Sequence, residues 1–149
     1  MTTLKPGDKA PSFEAVNQKG ETVRLSDFKG KKVLLFFYPK ASTPGCTAEA
    51  CNLRDNYEIF LEKGYEVIGA SADTEKKQLN FSEKHDLPYN LLADTDKKVI
   101  EAYGVWGPKK FMGREYDGIH RTSFVIDEKG VIEEVITKVK TKDHAAQIL

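Results

Sequence analysis

Two thiols, Cys46 and Cys51, are all the cysteine this 149-residue chain has, and both lie in the stretch PKASTPGCTAEAC from Pro39 to Cys51. Four residues separate them. Thioredoxin-type exchange uses C-x-x-C, and a zinc ribbon needs two such pairs, so the spacing fits neither. What precedes Cys46 is more telling. Thr43 is a good helix N-cap, and Pro44 suits the first helical position, where its missing N–H costs nothing. Cys46 then falls in the first turn, facing unpaired backbone N–H groups and the positive end of the helix dipole. Such a setting favours a thiolate, the nucleophilic form of cysteine.

Geometry constrains what Cys51 can do. In a straight helix, residues five apart rise about 7.5 Å and are rotated by about 140°, which separates their Cα atoms by about 8.7 Å. Disulfides require about 7 Å or less. The first step at Cys46 is therefore made alone, and local unwinding must precede a bond to Cys51. A two-step cycle fits: a thiolate attacks a peroxide, becomes a sulfenic acid, and condenses with a second thiol before further oxidant carries it to irreversible sulfinic acid.

Ionisation alone is not sufficient. An ordinary cysteine is already about 3% thiolate at neutral pH, so complete ionisation gains at most about 30-fold. The larger gain comes from groups that stabilise charge growing on the leaving oxygen. Nearby sequence offers the Thr43 hydroxyl and the Gly45 and Cys46 amides. It offers no well-placed cation, because Lys40 precedes the turn and Arg54 lies more than two turns on. The cation has to come from a distant segment.

The elements that must position these groups follow from periodicity. A small hairpin is expected near 13–25, around the polar NQKG turn. The run VLLFFYP (33–39) reads as a central strand buried on both faces. From Thr43 a helix should continue to just before Gly64, with Ala48, Cys51, Leu53, Tyr57, Ile59, Phe60 and Leu61 mostly on its apolar side. A second buried strand is expected at 65–71, an amphipathic helix at 74–86, a short strand at 89–94 and a short helix at 97–104. The segment Gly104–Gly118 reads as a glycine-rich loop that either lines the mouth of a site or packs as a cover. A hairpin is expected over 121–139, and KDHAAQIL should start a last helix. Alternating strands and helices give a parallel core, and the terminal hairpin adds antiparallel strands. The cysteine stretch sits just past the carboxyl end of a central strand, where open α/β sheets place their sites.

The length fits one domain, 1–149. Lys and Arg number 23, as do Asp and Glu. A neutral balance argues against nucleic acid or an anionic membrane as the main partner. The N-terminus lacks a secretory pattern, and the longest apolar run is too short to span a bilayer, so a cytoplasmic location is expected.

The motif Pro39-x-x-x-Thr43-x-x-Cys46 resembles the active-site motif of peroxiredoxins. The longer YPKASTPGCTAEACNLRD is similar to that of the peroxiredoxin Q, or bacterioferritin comigratory protein, subfamily, and GDKAPSF, LSDFKGKKVLLFFYPK and YGVWGPKKFMGREYDGIHRTSFVID extend the likeness along most of the chain. The resemblance implies a thioredoxin-like α/β fold: a central mixed sheet, helices on both faces and an N-terminal β-hairpin extension. It implies that Cys46 is the peroxidatic cysteine and Cys51 the resolving one, with Arg121 supplying the cation. Thr43 and Pro39 match the remaining motif positions, Pro39 shielding the sulfur from bulk water. Hydrogen peroxide and alkyl hydroperoxides are the implied substrates, held by Gly45, Cys46, Thr43 and Arg121. The implied reductant is thioredoxin or a similar dithiol protein, and the implied state is a monomer without metal or other cofactor.

Plainer readings stand beside these. Cys46 could be a buried structural thiol, Cys51 a packed bystander and Thr43 only a cap. Glu49 could bond back to the helix start or to Arg121, or be an ordinary surface carboxylate. His85, His120 and His144 show no metal-ligand spacing and are expected on the surface or in loops. Two other functions compete: a dithiol–disulfide oxidoreductase, disfavoured by the spacing, and a redox sensor or holdase that would stop after one equivalent of peroxide.

Overall fold

Strand β3 (Lys32–Phe37) organises the molecule, and the computed structural model describes it within residues 2–149. Its side chains alternate between two apolar clusters. Val33, Leu35 and Phe37 enter one; Leu34, Phe36 and, just beyond the strand, Tyr38 enter the other. Burial on both faces explains the unbroken apolar run. β4 (Tyr65–Ser71) pairs parallel with β3, and β5 (Asn90–Ala93) parallel with β4. On the other side β8 (Thr122–Ile126) and β9 (Ile132–Ile136) add antiparallel strands. The order is β5-β4-β3-β8-β9, a mixed five-stranded sheet.

Helices cover both faces. α1 (Pro44–Asp55), α2 (Tyr57–Glu62), α3 (Glu75–His85) and the short α5 (His144–Ile148) bring Leu53, Phe60, Phe81 and Ala145 to the Leu34/Phe36/Tyr38 side. α4 (Lys98–Ala102) brings Val99 and Ile100 to the other, together with Phe13 and Val23 from the N-terminal region. β1 (Glu14–Val16) and β2 (Thr22–Arg24) form the expected separate antiparallel hairpin. Among the described residues, no helix is long and apolar enough to cross a membrane.

Three expectations are corrected. The Gly104–Gly118 segment is not an irregular loop. It holds β6 (Trp106–Phe111) and β7 (Arg114–Ile119), a two-stranded ribbon in register from Trp106↔Ile119 to Phe111↔Arg114. Its turn has positive φ at Met112 (51°) and Gly113 (79°), as tight hairpins need. A methionine where asparagine or aspartate usually stands hid the turn, and mostly exposed strands hid the alternation. Second, the helix from Thr43 to Gly64 is two helices. The backbone breaks at Asn56 (φ −109°, ψ 9°), whose side-chain amide donates to the Asn52 carbonyl at 2.8 Å. Third, the buried face of α1 is Cys46, Glu49, Ala50 and Leu53, while Ile59 and Leu61 are 42% and 45% exposed. Leu53 and Phe60 are buried as expected, but a glutamate on the buried face of α1 kept hydrophobicity from marking that face out.

Gly69 of β4 is closely packed between Phe36 and Leu91. A Cβ built there would lie 2.8 Å from Phe36 Cζ and 3.0 Å from Leu91 Cδ2, both in fully buried side chains. Contacts that short force the ring, the isobutyl group or the backbone to shift. Gly69→Ala should therefore destabilise the fold by about 1–3 kcal/mol, read as a lower denaturant midpoint with unchanged slope.

Candidate active site

The site is assembled where β3 ends and β8 begins. Antiparallel register sets Phe37 opposite Thr122, so the residue preceding β8, Arg121, arrives beside the turn that follows β3. Sheet pairing is thus what brings together residues 75 positions apart.

The turn is held from several directions. Tyr38 is fully buried, and its hydroxyl donates to Gln78 of α3. The Ala41 amide donates to Asp73 Oδ2 at 2.8 Å, and Asp73 Oδ2 also accepts from the Ser71 hydroxyl at 2.6 Å. Ser42 takes a left-handed conformation (φ 65°), which turns the chain into the helix. Thr43 occupies the N-cap position with extended backbone, but its side chain does not cap. Its hydroxyl donates back to the Lys40 carbonyl at 2.7 Å, a difference from the expected cap. The first-turn amides of α1 thus receive no side-chain acceptor from Thr43. Pro39 and Gly45 are half-buried on the rim.

Cys46 is 1% exposed and a free thiol. It is not sealed among apolar groups, because Arg121 Nη2 donates to its Sγ at 3.3 Å. Arg121 Nη1 donates to Glu49 Oε1 at 2.7 Å. The guanidinium thus spans two residues three apart on α1, the spacing that puts them on one helix face. A Cβ at position 45 would lie 3.2 Å from Arg121 Nη2, so a glycine leaves the guanidinium its room. Of the alternatives for Glu49, the bond to Arg121 is the one observed, and its side chain is 0% exposed.

Charges in the site perturb one another. Burial pushes the Glu49 carboxyl up to about 7, against the opposing pull of Arg121. Burial works against the Arg121 cation as well, but the Cys46 and Glu49 charges and hydrogen bonds outweigh it and raise its pKa. Lys109, on β6, is lowered by burial and by the Arg121 charge, with Cys46 opposing. Its ammonium donates to the Ile119 carbonyl at 2.8 Å. The ribbon misread as a loop therefore contributes a second cation facing the same cluster.

Cys51 is half-buried on the same unbroken helix. Helix geometry keeps its Cα about 8.7 Å from that of Cys46, outside disulfide range. The helix is tied down just before Cys51 and in the turn beyond it. Tyr89 donates to the Ala50 carbonyl at 2.6 Å, Asn52 accepts from the Ala145 amide at 2.8 Å, and Arg54 Nη1 donates to the His85 carbonyl at 2.7 Å.

One group escaped the sequence reading. His144 is fully buried, not on the surface, and its Nε2 lies 3.5 Å from Glu49 Oε2. A lone histidine in KDHAAQIL carries no signal of this; only its i+3 partner Gln147, bonded to Nδ1 at 2.7 Å, hints at a fixed ring. His85 and His120 are partly exposed.

Comparison with known proteins gives a consistent picture. The AhpC/TSA family model matches residues 6–135. Peroxiredoxin Bcp of Escherichia coli K12 is 51% identical over 149 residues, covering 100% of this chain and 96% of the relative. Among solved structures, peroxidoxin BcpB of Mycobacterium tuberculosis superposes with a TM-score of 0.85 at 37% identity, covering 97% of this chain and 93% of that one. Bacterioferritin comigratory protein of Xanthomonas campestris superposes with a TM-score of 0.85 at 29% identity, covering 91% and 87%. The architecture is the thioredoxin-like fold of these neighbours.

Burial of Glu49 has a measurable consequence for stability. An acid whose folded pKa lies above its unfolded value favours the fold most when protonated, so its contribution is complete below about pH 4.5 and is lost as pH rises through about 7. Denaturation from about pH 4.5 to about pH 8 should show stability falling more steeply for the native protein than for Glu49→Gln. Parallel curves would mean that Glu49 titrates as an ordinary carboxylate.

Proposed function

We infer the course of the reaction from one premise: the chain belongs to the AhpC/TSA family and is a peroxiredoxin, a thiol-dependent peroxidase. We propose that Cys46 is its peroxidatic residue. The observation that carries this reading is the Arg121 guanidinium, 3.3 Å from Cys46 Sγ and 2.7 Å from Glu49 Oε1.

The Cys46 thiolate attacks the terminal oxygen of a hydroperoxide. The S–O bond forms as the O–O bond breaks, and the electron pair leaves with the distal oxygen as hydroxide or alkoxide. Arg121 and the Gly45 and Cys46 amides stabilise the charge that develops, and a solvent proton completes water or alcohol. Thr43 has a distinct task. Its hydroxyl hydrogen is engaged by the Lys40 carbonyl, so its oxygen acts as acceptor for the peroxide O–H and turns the terminal oxygen toward the sulfur. Pro39 walls the rim. The substrate enters by the side of the partly exposed Arg121, whose side chain is 22% accessible.

Cys46 sulfenic acid then condenses with Cys51. α1 unwinds between them, Cys51 sulfur attacks Cys46 sulfur, and water leaves as the disulfide forms. The ties at Ala50, Asn52 and Arg54 must loosen for this, so resolution is a conformational step. A dithiol protein of the thioredoxin kind reduces the disulfide and restores both thiols. The Xanthomonas protein is described as having alkyl peroxide reduction activity, which supports small organic hydroperoxides beside hydrogen peroxide as substrates.

Peroxide consumption coupled to NADPH through thioredoxin and its reductase tests the cycle. Cys46→Ser should abolish turnover. Cys51→Ser should still react with one equivalent of peroxide per chain but lose turnover through the internal disulfide and accumulate sulfinic acid. Mass spectrometry of the native protein after one equivalent should find the intramolecular Cys46–Cys51 disulfide. Chains linked to one another, or sulfenic acid that persists, would remove Cys51 from the role of resolving thiol.

A further inference from the structure

Behind Arg121 the cluster continues inward. Among the described residues, Glu49 Oε2 is the only buried side-chain nitrogen or oxygen without a hydrogen-bond partner. Leaving such an atom unpaired in the interior is costly, more so when it carries charge. Its neighbour at 3.5 Å is His144 Nε2, and both side chains are 0% exposed.

The ring orientation of His144 is determined by its other partners. Nδ1 lies 2.7 Å from Gln147 Oε1. That oxygen also accepts from the Lys140 amide, while Gln147 Nε2 donates to the Lys138 carbonyl, so the amide is fixed with its oxygen toward the ring. Nδ1 must therefore carry hydrogen. In the neutral ring Nε2 is then the acceptor, facing Ser123 Oγ at 2.7 Å and Glu49 Oε2 at 3.5 Å. The Ser123 hydroxyl donates or accepts and adjusts to either state of the ring. A proton on Oε2 would satisfy the orphan oxygen, sharing the Nε2 lone pair with the Ser123 hydroxyl after a small closure of the gap.

We propose that Glu49 and His144 share one buried proton, and that this pair positions Arg121 against Cys46. His144 is thus a positioning residue for the peroxidase reaction. The inference rests on the reading of Cys46 and Arg121 given above.

The reason is charge balance. With the proton present, thiolate and guanidinium cancel and the Glu49–His144 pair is neutral. Without it, a buried carboxylate is left with one free oxygen, and it draws Arg121 away from sulfur. Around Glu49 lie Arg121, just before β8, which links it to Cys46 on its own helix; His144 on α5, whose Nε2 also meets Ser123 of β8; and Tyr89 next to β5. Lys109 on β6 faces Arg121 and Cys46. Burial holds Glu49 near 7 and lowers His144, aided by the Arg121 charge and opposed by the Gln147 bond, so the proton resides on the carboxyl until neutrality.

The test is the single-turnover rate of the reduced protein with hydrogen peroxide, followed across pH in the native chain, His144→Phe and His144→Gln. His144→Phe removes the acceptor and should react about tenfold more slowly at neutral pH, with its inflection displaced. His144→Gln returns an acceptor and should recover most of the rate and the native inflection. Identical profiles in all three would overturn the proposal while leaving Cys46 as the reactive thiol. Imidazole nitrogen resonances of the native protein give a readout that needs neither peroxidase activity nor a folded variant. They should show the neutral Nδ1–H tautomer of His144, with Nε2 shifting where Glu49 titrates. An Nε2–H tautomer throughout would refute the shared proton. A native chain that fails to react with peroxide would instead sink the reading of Cys46, with the resonances still deciding the pair.

Discussion

One guanidinium, held between a sulfur and a buried carboxylate, is the interaction on which the arrangement depends. Arg121 reaches Cys46 Sγ and Glu49 Oε1 at once, and each contact orients the other. A cation half withdrawn from water needs fixed acceptors, and Glu49 Oε1 is one that holds it without approaching the sulfur. The buried carboxyl in turn has Arg121 as its hydrogen-bond donor. Much of the fold can be understood as keeping this triad in register: the β3–β8 pairing that delivers Arg121, the Asp73 and Ser71 contacts that fix the turn after β3, and the helix spacing that lines Cys46 up with Glu49.

A second constraint opposes the first. In the proposed cycle the same helix is intact for the attack and opens for resolution. Packing on the Cys46 side of α1 is dense, with Ala50 and Leu53 fully buried, whereas Cys51 is half-exposed and its end of the helix is held by individual hydrogen bonds to Ala145, Lys142 and His85. Contacts of that kind break one at a time, at about 0.5–1.5 kcal/mol each. α1 ends at Asn56, and α2 keeps its own anchor in the core through Phe60. The last helix, α5, and the residues before it dock on this end of α1 through Asn52.

The turn Thr43-Pro44-Gly45 and the two-faced run of β3 were legible in sequence because each rests on local rules: proline at the first helical position, and continuous hydrophobicity in a strand covered on both sides. The need for a remote cation was legible as well, from the lack of one nearby; that it is Arg121 came from resemblance, since sheet register cannot be read from spacing. What stayed hidden depended on tertiary context. Met112-Gly113 forms a turn that composition does not announce. Glu49 and His144 are polar residues whose burial is sensible only once Arg121 and each other are in place. Thr43 looked like a cap, and its hydroxyl turned instead to the Lys40 carbonyl.

The central claim is that Arg121 acts on the breaking O–O bond and not merely on thiol ionisation. Comparing the rates of Cys46 with hydrogen peroxide and with iodoacetamide, in the native protein and in Arg121→Gln, separates the two. Loss of ionisation alone limits the alkylation defect to about 30-fold, whereas loss of a transition-state donor adds about 10²–10³-fold for peroxide only. The account predicts that the peroxide rate collapses far beyond the alkylation rate; a parallel fall of both would contradict it.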